Sequence, residues 1–195
     1  MYQEKEILYV FNAKDGQEIR VRHLSPDDAP HFVDIFENMS SDSRYLRFHQ
    51  TADHFHPQRI RLEAEKIAQT SPERQGGLIA FADLPDRANV PVAVARYICL
   101  GDGVAETAVS VRDDMQGKGQ GTQLLTQLAK EALARGVRLL TANVLNANKG
   151  IFAVLMKLPY QINCKPEGST TVVEIDLTRS KQDTAQACCE ELLET

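Results

Sequence analysis

The chain has 195 residues, 43% hydrophobic and 25% charged, which is the balance of one globular domain with a sizeable core and excludes a disordered or fibrous protein. The formal net charge is −5, so no basic excess draws the chain to nucleic acid or to an anionic membrane. The longest mostly apolar run, residues 91–100, is far shorter than the roughly 20 residues that span a bilayer, so no integral membrane segment is expected.

The N-terminus is acidic and has neither a basic n-region nor a small-residue cleavage site, so a cytoplasmic location is expected. Residues 6–11 and 17–24 read as strands joined by the turn Ala13-Lys14-Asp15-Gly16, whose DG dipeptide supplies positive φ. Ser25, Pro26 and Asp28 suit a helix start, and Phe32, Ile35, Phe36 and Met39 place one apolar face on a helix from 26 to about 39. A polar stretch leads to Pro57, after which Ile60, Leu62, Ala64, Ile67 and Ala68 give a weaker helical pattern. His54 and His56 lie in that stretch without a Cys or carboxylate cluster and are read as a surface pair, with no metal site.

Residues 77–83, 90–100 and 104–112 read as three strands with short connections, an antiparallel meander. Leu124, Leu125, Leu128, Ala129, Ala132 and Leu133 then form a helical stripe ending at Gly136, followed by a strand at 137–145. That order is a βαβ unit, so the strands at 104–112 and 137–145 should run parallel. A helix at about 147–158 and strands near 160–164 and 171–177 complete an α/β (α+β) fold, with a mixed central sheet of about six to seven strands and helices on both faces. Residues 1–178 are read as the domain, and 179–195 as an acidic C-terminal tail or short helix, in which residues 181–195 set one lysine, Lys181, against Asp183, Glu190, Glu191 and Glu194. The four cysteines have neither CxxC spacing nor scaffold density, so reduced thiols are expected and structural zinc is not.

The segment that carries chemistry is Gln116-Gly117-Lys118-Gly119-Gln120-Gly121, between a strand and an amphipathic helix. Its three glycines let several amide N–H groups converge on one anion, and the helix start adds its positive dipole end, a natural seat for a pyrophosphate. A Walker loop would need Ser or Thr directly after the Gly-Lys pair, where Gly119 stands. A dinucleotide fingerprint would need G-x-G-x-x-G after the first strand of a parallel sheet, and here G-x-G-x-G follows a meander. An unliganded glycine-rich connection remains the competing reading of the loop taken alone.

This segment resembles the Q/R-x-x-G-x-G/A acyl-CoA motif of the GNAT N-acetyltransferase superfamily, and the order of elements over about residues 17–177 is similar too. Within it the chain looks like the catalytic domains of bacterial protein lysine acetyltransferases, through residues 40–48, 105–121 and 144–160. Ile151 and Pro159-Tyr160 depart from the pattern's Met and Gly-Phe. The resemblance implies an acetyl-CoA-dependent N-acetyltransferase. It also implies that the strands at 104–112 and 137–145 splay apart, that the pantetheine arm adds to the first through Val109, Ser110 and Val111, and that the pyrophosphate lies at Gln116, Gly117, Lys118, Gly119, Gln120, Gly121 and Thr122. Asn148 matches the family's cofactor-contacting Asn.

A lysine ε-amine, with an ordinary pKa near 10.4, must lose a proton before it can attack a thioester. Glu106, which shares a strand face with Ala108 and Ser110, stands where the similar lysine acetyltransferases place their general base. The backbone N–H of Val109 is the expected oxyanion donor. Many superfamily members donate a proton to the leaving thiolate from a Tyr in the helix after the Asn, and the corresponding position here is Leu155. Arg44, Tyr45, Arg47 and Phe48 are read as packing and solvated charge, with no catalytic assignment. The expected acceptor is a protein lysine, with a small-molecule amine as the alternative; a non-catalytic acyl-CoA sensor is a third reading from another class.

Overall fold

The computed structural model describes residues 6–49, 56–69 and 74–181. Its strands are β1 (Tyr9–Asn12), β2 (Glu18–His23), β3 (Gln75–Leu84), β4 (Arg87–Gly101), β5 (Val104–Val111), β6 (Leu139–Leu145), β7 (Tyr160–Glu167) and β8 (Thr170–Ser180). All eight join one mixed sheet in the order β1-β2-β3-β4-β5-β6-β8-β7, against the six to seven expected, because the short N-terminal pair continues the meander through β2 and β3. Neighbours are antiparallel except β5 and β6, which run parallel as the βαβ order requires.

The helices are α1 (Ala29–Glu37), α2 (Ser41–Phe48), α3 (Pro57–Ala68), α4 (Gln120–Ala134) and α5 (Lys149–Leu155). On α4 the residues Leu124, Leu125, Leu128, Ala129 and Ala132 are fully buried against one sheet face. At about 1.5–3 kcal/mol for each leucine, this stripe anchors the larger core. A smaller cluster on the opposite face joins Ile35 and Met39 to Val94 of β4, so the sheet is covered on both sides. The expected helix from residue 26 starts as a 3-10 turn, Pro26–Asp28, with Ser25 and Asp28 closing a capping box. The polar stretch after residue 39 is not a loop throughout. Ser40 accepts from the Ser43 N–H at 3.2 Å and starts α2, whose Arg44 and Arg47 side chains lie over the Phe36 and Phe48 rings.

Arg22 and Asp28 form a bidentate pair at 2.7 and 2.8 Å, with Asp28 wholly buried and Arg22 6% exposed. The same carboxylate accepts the Ser25 backbone N–H at 2.8 Å, so one acidic group ties β2 to the entry of α1. Cys99 is a free thiol, whereas Cys164 is disulfide-bonded, which corrects the expectation of reduced thiols. His54 and residues 182–195 of the acidic tail also lie outside the described residues, while His56 accepts from the Gln58 N–H at the start of α3. No helix of the described residues is long and apolar enough to cross a membrane.

Asp28→Ala would leave the Arg22 guanidinium buried and unpaired, and is expected to lower unfolding free energy by about 3–5 kcal/mol. In urea melts the double variant Arg22→Met, Asp28→Leu should recover most of that loss, because no buried charge is then left alone.

Candidate active site

Gly117 and Gly119 have φ of +74° and +102°, a region L side chains seldom occupy, so the loop between β5 and α4 depends on glycine here. Gly119 is the N-cap of α4 and provides no side-chain cap, which leaves the first helical amides free to meet an anion. Gln116, Gly117, Gly119, Gln120, Gly121 and Thr122 line one cavity of about 270 Å³, together with Val109, Ser110 and Val111 of β5 and with Asn148. Of the residues read from the sequence as cofactor-binding, Lys118 alone is not on this wall: its Nζ pairs with Asp15 at 2.9 Å. That hydrogen bond holds the Asp15 carboxyl below the ordinary carboxylate range.

The Gln120 side chain is 1% exposed, and neither of its amide atoms has a hydrogen-bond partner among the described residues. Such a group costs about 1–3 kcal/mol unless something meets it, so an orphaned amide on the wall of the glycine cavity fits a polar ligand. Two exposed cations missed by the sequence reading, Lys14 in the β1–β2 turn and Lys157 beyond α5, line the same cavity. Neither carries a local sequence signal, since topology alone brings them beside the loop. Glycine amides, an uncapped helix start and two lysines gather donors and positive charge on one wall, the chemistry that suits a phosphate-bearing ligand.

The loop is held from its other side. The Gln116 amide donates to Asp113 Oδ1 at 3.0 Å, to the Val111 carbonyl at 3.2 Å and to Ser43 Oγ at 3.3 Å. Asp113 accepts the Ser40 N–H at 3.0 Å. Burial alone would raise the Asp113 carboxyl, but its bonds from Ser40 and Ser43 outweigh that and leave it below the ordinary range.

β5 and β6 pair at three positions only, Val104 with Leu139, Ala105 with Leu140 and Glu106 with Thr141. Beyond them the strands separate, and a cavity of about 160 Å³ opens between Val109 of β5, Ala142, Asn143 and Val144 of β6, and Asn148, Ile151 and Leu155. Glu106, on the last rung, is exposed and lines this cavity. Val109 and Asn148 line both cavities, so the loop and the Glu106 slot meet there. Asn148 caps α5 by accepting the Ile151 N–H at 3.1 Å, and its amide reaches the Leu46 carbonyl of α2 at 3.5 Å. Leu155 is buried on the slot wall, and no tyrosine lines either cavity among the described residues.

Two guanidiniums face the slot that the sequence reading did not place there. Arg47 of α2 donates its Nε–H to Ser110 Oγ at 3.0 Å, and Arg96 of β4 stands across from Ala108. Burial, and then the nearby Arg96 charge, push Arg47 down to about 10, while Glu106 opposes the shift. Arg96 is lowered by burial, again against Glu106. The signal for Arg47 was its place in an amphipathic α2; for Arg96 it was the strand register, which the β4–β5 turn alone decides.

Residues 34–157 match the family model described as Acetyltransferase (GNAT) family. An L-methionine sulfoximine/L-methionine sulfone acetyltransferase of Pseudomonas aeruginosa is 31% identical over 100 residues, a match that covers 43% of this chain and 58% of that protein's length. Among solved structures, the GNAT domain of S. lividans PAT superposes with a TM-score of 0.71 at 28% identity, covering 86% of this chain and 96% of that one. The protein yncA of Salmonella typhimurium, solved with its cofactor acetyl-CoA, shares the fold with a TM-score of 0.59 at 20% identity over 87% of this chain and 99% of its own. With its glycine loop, splayed strands and a family match over most of its length, the chain belongs to the GNAT acetyltransferase family.

Proposed function

We propose that this protein transfers the acetyl group of acetyl-CoA to a protein lysine ε-amine, with Glu106 as general base. The observation that carries the reading is the position of Glu106 on the last rung before the slot, one strand face from Ala108 and Ser110 and continuous through Val109 with the glycine-loop cavity. Bound along Val109–Val111 and the loop from Gln116 to Thr122, acetyl-CoA supplies an activated acetyl group. The amine nitrogen bonds to the acetyl carbon as the C–S bond breaks, and Glu106 takes the proton that the amine releases. The Val109 N–H, which has no register partner in β6, is the donor for the developing oxyanion. Likeness to the S. lividans PAT domain supports the choice of a protein acceptor. The name of the Pseudomonas relatives favours a second reading, a small amino-acid-like amine; a panel of small amines beside a lysate mapped for acetyl-lysine decides between them. A sensor would bind acetyl-CoA and release no CoA with either.

Cofactor binding has its own test. A Cβ on Gly121 would sit in ordinary contact with Val111 and Val154, both on the cavity wall, so a longer side chain fits the fold but fills the space. Gly121→Glu is therefore expected to abolish acetyl-CoA binding in calorimetry while the urea midpoint stays near wild type; undiminished affinity would remove the loop from the site.

Glu106→Gln keeps the shape and removes the base. It should leave acetyl-CoA affinity unchanged and lower kcat by about 10²- to 10⁴-fold at neutral pH. The deficit should narrow as pH climbs toward the ordinary amine pKa near 10.4, where the acceptor loses its proton unaided. Wild-type turnover at pH 7 in this variant would clear Glu106 of the role.

A further inference from the structure

A third cavity, of about 400 Å³, lies on the sheet face under α1 and α3 and is the largest of those lining the site. Its walls are mostly apolar, with Phe32, Phe36 and Met39 on one side and Ile60 and Ile67 on the other. It joins the Glu106 slot at Arg47, Arg96 and Ala108, which line both spaces. The strand register explains this: Arg96 faces Ala108 and Ile98 faces Glu106, so Arg96 and Glu106 are diagonal neighbours on one face, within reach of two long side chains. Arg47 reaches the same junction from α2, over the Phe48 ring, and among the described residues its hydrogen bond to Ser110 uses Nε and not the two terminal nitrogens of the fork. Among the described residues neither guanidinium forms an ion pair with a carboxylate at salt-bridge distance, although both are partly buried.

Two cations concentrated beside a base are a poor environment for a bare ammonium. A simple polyamine or an isolated lysine side chain would meet repulsion at the point where it must lose its proton. Charge complementarity is restored if the acceptor brings its own anion, and a guanidinium fork matches a carboxylate in geometry as well as in sign. We infer that Arg47 and Arg96 form an acceptor-binding site for a carboxylate carried next to the reacting amine, with an apolar group of the acceptor filling the cavity beyond. Taken with the lysine reading above, on which it rests, this specifies the target as a lysine with an acidic side chain beside it and a bulky apolar residue nearby.

The test uses the full chain, saturating acetyl-CoA and CoA release as the readout. Matched pentapeptide amides, acetyl-Leu-Glu-Lys-Glu-Leu and its counterpart with Gln at both acidic places, form one arm; L-leucine and L-leucinamide form the other. The acidic peptide should exceed the Gln peptide by about 10- to 100-fold in kcat/KM, the usual worth of a charge-assisted pair. Arg96→Met should bring that ratio near one with acetyl-CoA affinity unchanged, and Arg96→Lys should restore part of it; Arg96→Gln repeats the measurement if the Met variant melts early. A ratio near one in the wild type, or an equal loss on both peptides in the variants, overturns the assignment of an acid-flanked lysine as the target.

Calorimetry of the same four compounds on the CoA-loaded protein separates this inference from the functional one. Discrimination by leucine over leucinamide with none between the peptides keeps the carboxylate site and overturns the lysine reading. Tighter binding of the acidic peptide without turnover of any acceptor keeps the site and overturns the enzymatic reading. Equal binding of acid and amide in both arms overturns the site itself.

Discussion

The parallel ladder between β5 and β6 stops after three rungs, and the functional architecture follows from that stop. Each strand is secured on its other side: β5 pairs with β4 from Val104 to Val111, and β6 pairs with β8 along its whole length. The separation is therefore a feature of two intact half-sheets hinged at Glu106 and Thr141, not a frayed end. Backbone groups facing such a gap need partners, and an extended amide-bearing chain adds to a free strand edge as a peptide does in β-augmentation. Glu106 lies at the hinge, where that free edge begins, which is why its position carries more information than its chemistry alone.

Precision at the phosphate end comes from contacts outside the loop. Arg112 is 7% exposed and binds Asp114 through two nitrogens at 3.0 Å, with a third bond of 3.3 Å to Asp34 of α1. Asp34 in turn holds Arg87 at 2.6 Å. On the opposite side the Lys14 N–H donates to the Lys118 carbonyl at 3.0 Å, and Lys118 pairs with Asp15. The more exposed Arg87–Asp34 and Lys118–Asp15 pairs each contribute little to stability, about 0–1 kcal/mol, so their value here is geometric. They fix the loop to α1, α2 and the β1–β2 turn at once, and the glycines turn between fixed ends. Lys118, read from the motif as a phosphate ligand, is used in this frame.

The sheet was legible because its strands carry apolar runs and its turns carry Gly, Asp and Pro; the parallel β5–β6 pair followed from the βαβ order alone. What escaped was α2, because its apolar stripe is short and completed by arginine stems lying over phenylalanine rings, which a hydrophobic count reads as polar. The glycine loop was legible for a similar local reason: its chemistry lies in consecutive residues. Glu106 was found through its motif and strand period. Arg96 was not, because its relation to Glu106 depends on register, and the ladder shifts between Cys99 and Gly101 at the turn. Local chemistry is written in neighbouring residues, whereas charge placed across a sheet is written in pairing.

The overall charge of −5 also misleads about the site. Acidic chains favour cationic partners at long range, yet salt screens that attraction beyond a distance of about 8 Å at physiological ionic strength, and inside the slot the nearest charges decide. There one carboxylate, Glu106, shares the slot with two guanidiniums. Such a local field suits both ends of the reaction. For the reaction proposed above, it opposes a protonated amine and favours the neutral acceptor. It also favours a departing thiolate, which, with its thiol at an ordinary pKa of about 8.5, is a weaker base than the amine. Leu155 is buried on the slot wall at the position where the resemblance implies a proton donor, and this fits the proposed reaction: when positive charge stabilises a leaving sulfur, a dedicated acid contributes less, and an apolar side chain that closes the slot to water becomes the better use of the position.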